Sequence, residues 1–524
     1  MGSQTLAISS SVVICRGVPP WAPNGVELPC RRGAHGGTPL QLGQHAISNL
    51  AVVLLLLAGS SSVFARAEFA GRIAAKQSAS EATLASVRRS DSSIRDTKGT
   101  LAKLTPSEHM RRASVYMSNR AFDEARAHWR ALVQYFPEDS RVPEALLGIA
   151  RSYFLAKDYE DGYPIFNQLA NDYPSTKEGR EGLNYSAASL LRLGRFAEAA
   201  ARYAEYCDRY PNGERIDTAH LNVIDTLREA SNPTEALKWV TRTRQRFSGS
   251  ATETNAIFAA LRLYVAEGQW NDAVNMADEL LKRNFSKATL TTPGEVLYLK
   301  AFSLDQSGRD EDAVKAYLAI SDSLESYYGW LATQKLTSIL KGSRANLAAE
   351  RNQRVSASIS AASDQYPAPY RQTVLRAAKE RNLDPRFILA LIRQESVFKP
   401  FAKSPAGARG LLQLTIDAAQ KYAAGAGLRN VGENQLYLPE TSIILGAEYL
   451  SSLRGMFPQL WEAVAASYNG GEDNVARWLR RGKSNDGGVF TSEIGFDETK
   501  AYVQKVMSNY RAYRELYTVD LVRR

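Results

Sequence analysis

The chain has 524 residues, 44% of them hydrophobic and 23% charged, with 65 Lys+Arg against 55 Asp+Glu and a net charge of +10. Those proportions fit two or three globular domains and exclude wholesale disorder, a collagen-like fibre and a multi-span membrane protein. Three cysteines exclude a disulfide scaffold or a Cys-rich zinc module, and no His follows His220 and no Cys follows Cys207. Chemistry beyond that point must run without His-based triads, Cys-His dyads or HExxH zinc sites, which leaves carboxylates as the leading candidates. The positive charge points to an anionic polymer or surface as partner.

The first predicted element is an address. Leu50 to Ala58 is an unbroken apolar run followed by GSSSVFARA, with Arg31 and Arg32 upstream and Val63-x-Ala65 and Ala65-x-Ala67 as small-residue cleavage sites. The run is about half the ~20 residues that span a bilayer, so residues 1–65 read as a secretory signal segment cleaved near Ala65. A leader starting at Met1 is long, and translation from near Val26 or Leu28 is the expectation. Cleavage removes Cys15 and Cys30 and leaves Cys207 alone. The destination is outside the cytoplasm, with no stable membrane span.

Residues 66–105 are a polar lead-in, and 106–340 a helical repeat array. Phe122, Tyr159, Phe196, Pro233 and Trp270 recur every 37 residues, as do Ala125, Gly162, Ala199, Ala236 and Ala273; Pro137, Pro174 and Pro211 keep the same register, with Ser248 in the fourth slot. After Phe285 the register slips by three, to Ala313. Each unit reads as two amphipathic helices packed through a small residue and stopped by Tyr/Phe-Pro, and such units must stack to bury their faces. The array offers a surface for a polymer or envelope protein partner, or else a spacer. Residues 341–365 read as a linker or a loosely packed connecting helix.

From residue 366 to 524 there are 22 Lys+Arg against 16 Asp+Glu, without a nucleic-acid recognition motif, so an anionic envelope polymer fits better than nucleic acid. Asp384-Pro385 starts a helix whose apolar stripe, Phe387, Ile388, Leu391 and Ile392, continues to Glu395. A carboxyl at the end of such a stripe loses water, which raises its pKa toward that of a general acid. The alternative is a helix-end Glu that reaches solvent or pairs with Arg393 or Lys399. A Gly-rich loop from Ser404 to Leu414 follows, with Gln413 suited to sugar hydroxyls or amides. Tyr468 and Asn469 stand before Gly470-Gly471, and Glu498 and Tyr502 lie one helical turn apart.

Five motifs in order, Glu395-Ser396, SPAGARGLLQL at 404–414, PETSIILGAEYL at 439–450, ASYNG at 466–470 and ETKAYV at 498–503, make the chain resemble the soluble lytic murein transglycosylase family. SYYGWLATQKL at 326–336 is similar to the stretch that closes this family's helical superhelix. The resemblance implies an all-α protein: a tetratricopeptide-like superhelix, then a lysozyme-like (goose-type) catalytic domain over 366–524. It implies peptidoglycan as substrate, periplasmic location, no metal or organic cofactor, and one catalytic glutamate, Glu395, that acts as acid and then as base to leave 1,6-anhydromuramic acid. Ser404, Gln413, Tyr468, Asn469, Glu498 and Tyr502 match saccharide-groove positions. The chain departs from the family pattern at Leu412 and Thr415 (usually Met), at Ile416-Asp417, at Ser442 (usually Asn) and at Gly495 (usually Pro). Two readings stay beside this one: a lysozyme-type hydrolase with Asp417 or Glu498 as second acid, and a glycan-binding scaffold without catalysis.

Overall fold

The computed structural model describes residues 82–96, 99–404 and 406–524. The segment 1–65 read as a secretory signal, with its expected cleavage near Ala65, lies outside the described residues. The chain forms two compact units that divide between Ala219 and His220, and each is built from helices; among the described residues the only β pairings are isolated bridges. The all-α, repeat-based reading of the sequence is borne out.

The described part of the first unit holds α1 (82–94), α2 (Pro106–Ser118), α3 (Phe122–Tyr135), α4 (Val142–Ala156), α5 (Tyr159–Asp172), α6 (Lys177–Arg192) and α7 (Phe196–Arg209). The 37-residue landmarks are helix starts: Phe122, Tyr159 and Phe196 open α3, α5 and α7. Three residues on, Ala125, Gly162 and Ala199 are buried, each on a helix that packs on the one before it. A Cβ on Gly162 would sit 3.3 Å from the carbonyl oxygen of Ala150, so this position stays small because two backbones meet there. Thr105 and Thr176 cap α2 and α6 by accepting from the backbone N–H three residues on. Asp91 joins α1 to its neighbours: it accepts from the Tyr116 hydroxyl at 2.5 Å, lies 2.9 Å from His128 Nε2 and pairs with Arg112.

The second unit begins within α8 (Ile216–Glu229). The array continues through α9 (Pro233–Arg246), α10 (Ala251–Ala266), α11 (Trp270–Leu280), α12 (Pro293–Gln306), α13 (Asp310–Ala319) and α14 (Tyr327–Ile339). Ser250 and Thr292 cap α10 and α12, each with Glu at the third helical position, the sequence of a capping box. The polar segment 341–365 contains α15 (Ala345–Ala361), which buries Ala348, Val355 and Ile359. Arg351 is buried as well and donates to the carbonyls of Leu318 and Ile320.

The C-terminal region adds α16 (Arg371–Glu380), α17 (Pro385–Ser396), α18 (Ile416–Ala423), α19 (Pro439–Met456), α20 (Trp461–Gly470), α21 (Glu472–Gly482), α22 (Gly487–Glu493) and α23 (Asp497–Leu516). Helix α23 packs on α17 and α20, and also on α14 and α15; α10 and α12 reach α22. One apolar core therefore runs from Ile257 in α10 to Leu521. Tyr327 and Tyr328, in the stretch read as closing the array, are tied by hydrogen bonds: Tyr327 to Glu462 at 3.1 Å and Tyr328 to Glu295 at 2.9 Å. Among the described residues no helix is long and apolar enough to cross a membrane.

Candidate active site

Helix α17 starts as expected, with the Asp384 carboxylate accepting from Arg386 N and Pro385 in the first turn. Its burial is wider than the predicted stripe: every residue from Phe387 to Ile392 is buried, and both α23 and α16 pack on the helix. Glu395 is 2% exposed at the end of this helix. The Tyr502 hydroxyl donates to its Oε1 at 2.8 Å. The helix then ends abruptly, with Val397 at φ 49° and Phe398 at φ 59°. Two consecutive non-glycine residues in the left-handed region, one of them β-branched, are strained, and such strain clusters at functional sites.

Ser396 anchors the following loop by donating to the Leu411 carbonyl at 2.8 Å. Gly410 has φ +79°, and a Cβ there would lie 1.9 Å from the carbonyl oxygen of Leu436, so only glycine fits. Ser404 is buried and its Oγ accepts from Ala408 N at 3.1 Å, which closes the turn between them. Gln413, at φ 47°, uses its amide nitrogen on the carbonyls of Ala402 (3.0 Å) and Gly410 (2.9 Å). Its buried Oε1 carries no hydrogen bond, so the amide offers an acceptor rather than a donor.

The departures from the family pattern have local roles. Thr415 caps α18 by accepting from Ala418 N. Leu412 is fully buried on Gly446, where a Cβ would come within 2.3 Å of Leu412 Cδ1. Ser442 accepts from Leu412 N at 3.2 Å. Asp417 sits exposed in the first turn of α18.

Tyr468 is buried, and its hydroxyl donates to the Leu412 carbonyl at 2.7 Å, next to Gln413. Its ring stands at the end of a row: Tyr422 and Tyr449 centroids are 4.8 Å apart, and Tyr449 and Tyr468 5.0 Å apart. Asn469 Oδ1 accepts from Thr499 Oγ1 at 2.6 Å. Glu498, beside Thr499, is exposed in part, and desolvation raises its pKa above the usual glutamate value. Direct contacts thus join Glu395 with Tyr502, Tyr468 with the Gln413 loop, and Asn469 with the start of α23. Ser396, Tyr449 and Thr499 belong to this arrangement and were not singled out from the sequence, although all three lie inside the quoted motifs. Tyr422 lies outside them and carries no sequence signal.

The Transglycosylase SLT domain family matches residues 372–490, and a tetratricopeptide repeat family matches 110–175 and 185–251. A Haemophilus influenzae relative is 36% identical over 143 residues, covering 27% of this chain and 24% of its own. The soluble lytic murein transglycosylase of Escherichia coli is 32% identical over 161 residues, covering 30% of this chain and 24% of the relative. The chain thus spans about a quarter of the length of these curated relatives. The crystal structure of an inactive mutant of lytic transglycosylase Slt from Pseudomonas aeruginosa aligns with a TM-score of 0.46 and 20% identity, over 82% of this chain and 84% of that one. The stretch that matches the Transglycosylase SLT domain contains Glu395 and the Gln413 loop, and over this stretch the chain is similar to soluble lytic murein transglycosylases.

Proposed function

We propose that the protein is an exported, periplasmic peptidoglycan lytic transglycosylase. It cleaves the β-1,4 bond between N-acetylmuramic acid and N-acetylglucosamine and leaves 1,6-anhydromuramic acid ends. The observation that carries this reading is Glu395, a carboxyl buried within the matched domain and held by the Tyr502 hydroxyl at 2.8 Å.

In the first half of the reaction Glu395 gives its proton to the glycosidic oxygen as the bond to C1 breaks. In the second half the Glu395 carboxylate takes the proton of the muramic acid 6-hydroxyl while that oxygen closes on C1. The acid is restored and no water enters, so the pair of carboxylates used by ordinary glycosidases is not required. Tyr502 orients the carboxylate in both halves. Ser404, Gln413, Tyr468, Asn469 and Glu498 bind the saccharide, with the free Gln413 carbonyl placed to accept from a sugar hydroxyl or an amide N–H. The helical repeats supply a surface for glycan strands or envelope proteins, and no cofactor or metal takes part.

The test is mass spectrometry of the soluble products released from purified sacculi by the protein and by its Glu395→Gln variant. Anhydro ends, lighter than reducing ends by one water and absent with the variant, are the expected result. Reducing ends would make the protein a hydrolase; bound sacculi without products would make it a scaffold.

A further inference from the structure

The first turn and a half of α23 is gripped from three sides. Thr499 donates to Asn469 on α20 at 2.6 Å, and Tyr502 donates to Glu395 on α17 at 2.8 Å. Between them Lys500 turns away from the site and into the repeats. It is buried, and its Nζ donates to Glu295 Oε1 at 3.1 Å and to the Leu290 carbonyl at 3.1 Å, over the ring of Phe258. Glu295 is itself 1% exposed and also accepts from the Tyr328 hydroxyl at 2.9 Å. It occupies the third position of α12 after the Thr292 cap, where a glutamate ordinarily reaches back to the cap N–H. Here its Oε1 is spent on two groups outside its own helix.

Residues 499 to 502 span about 4.5 Å of helix axis at 1.5 Å per residue. A segment that short moves as one piece, so the position of Lys500 is also the position of Thr499 and Tyr502. We propose that Glu295 is a positioning residue for the reaction at Glu395, acting through Lys500 on the start of α23. The last repeats then form part of the catalytic apparatus, and the domain match that ends at residue 490 stops short of the element they hold. This inference rests on the proposed lytic transglycosylase reaction.

The experiment compares the full protein with Glu295→Ala, Glu295→Gln and Lys500→Met by two readouts. The first is hydrogen exchange of residues 497–503. The second is product release from sacculi across pH, analysed as kcat and KM. Faster exchange confined to 497–503 is expected in Glu295→Ala and Lys500→Met. A ten- to hundred-fold fall in kcat with KM little changed should accompany it, since displacement of a catalytic group by about 1 Å costs up to 100-fold. The limb of the pH profile that Tyr502→Phe shifts should shift in these variants too, and not further in the double variants. Glu295→Gln, which keeps an acceptor in place, should recover part of the loss.

Folded variants with unchanged exchange and kcat would overturn the proposal. If Glu295→Ala does not fold, Tyr328→Phe removes one of the bonds to Glu295 without stranding a charge, and the same readouts apply. If the unaltered protein releases no product, the proposed reaction fails, and the exchange measurement still decides whether Glu295 holds α23.

Discussion

Glu462 and Glu493 are both glutamates buried where the repeats meet the C-terminal helices, and they titrate in opposite directions. Desolvation lifts Glu462 to about 7, despite a hydrogen bond from Tyr327, and Asp486 adds repulsion. For Glu493 burial acts in the same sense, but the guanidinium groups of Arg228, Arg481 and Arg262 outweigh it and hold the carboxyl at about 2. The sign for Glu462 follows. Its folded pKa lies above the unfolded 4.5, so its contribution to stability is complete below pH 4.5 and is lost as pH rises through 7. The shift corresponds to about 3 kcal/mol. Glu462→Gln cannot ionise, so melting curves should show the parent losing stability between pH 5 and pH 8 more steeply than the variant. Parallel pH dependence in the two proteins would show that Glu462 ionises without cost.

Whether a residue's role can be read locally depends on the element that carries it. The repeat helices were legible because each landmark has a local cause: a proline or capping Ser/Thr sets an end, and a small residue sets an approach between neighbours in sequence. Ala273 illustrates the second. It is fully buried on α11, which packs on α10 and α12, so Ala273→Leu should overpack the core there and cost about 1–3 kcal/mol. Asn271→Leu, two residues away and exposed, should leave the melting temperature nearly unchanged; equal effects at both sites would sink the packing argument. Glu395 was legible for the same reason, as the polar end of an apolar helix. The α23 clamp was not. Lys500 and Glu295 are 205 residues apart, and each reads locally as an ordinary charge in the first turn of a helix. Likewise Thr415 reads as a loss against the family pattern, while in the fold it is a helix cap.

At the scale of the whole unit from His220 to Arg524, a buried charge cluster shows how the repeats and the C-terminal helices are joined. Arg228 on α8 and Arg262 on α10 both reach Glu493 at the end of α22, at 2.5 and 3.4 Å. Arg481 on α21 reaches Glu493 at 2.7 Å, Glu229 at 3.2 Å and Asp225 at 3.7 Å, and Arg477 reaches Glu229 at 3.4 Å. Four guanidinium groups thus face three carboxylates, and Glu493 and Asp225 are each shared by Arg228, Arg262 and Arg481, with Glu493 the more buried of the two. An apolar replacement of a whole buried ion pair can be neutral, but removal of one partner leaves the others desolvated without compensation. Glu493→Gln should therefore cost about 3–5 kcal/mol, near the upper range for a single substitution. Its effect should also depend on pH in the sense opposite to that of Glu462. The depressed pKa gives stability that is complete above pH 4.5 and lost as pH falls through about 2, so parent and variant should converge in acid. Denaturant unfolding, followed at pH 7 and pH 3 by tryptophan fluorescence and by helical circular dichroism, would check this. The cluster joins Arg228 and Arg262 of the repeats to helices α21 and α22, so both probes should move together and to lower denaturant in the variant. A variant in which the two probes separate would mean that Glu493 couples two otherwise independent folding units; one as stable as the parent would mean that the apolar core alone holds them.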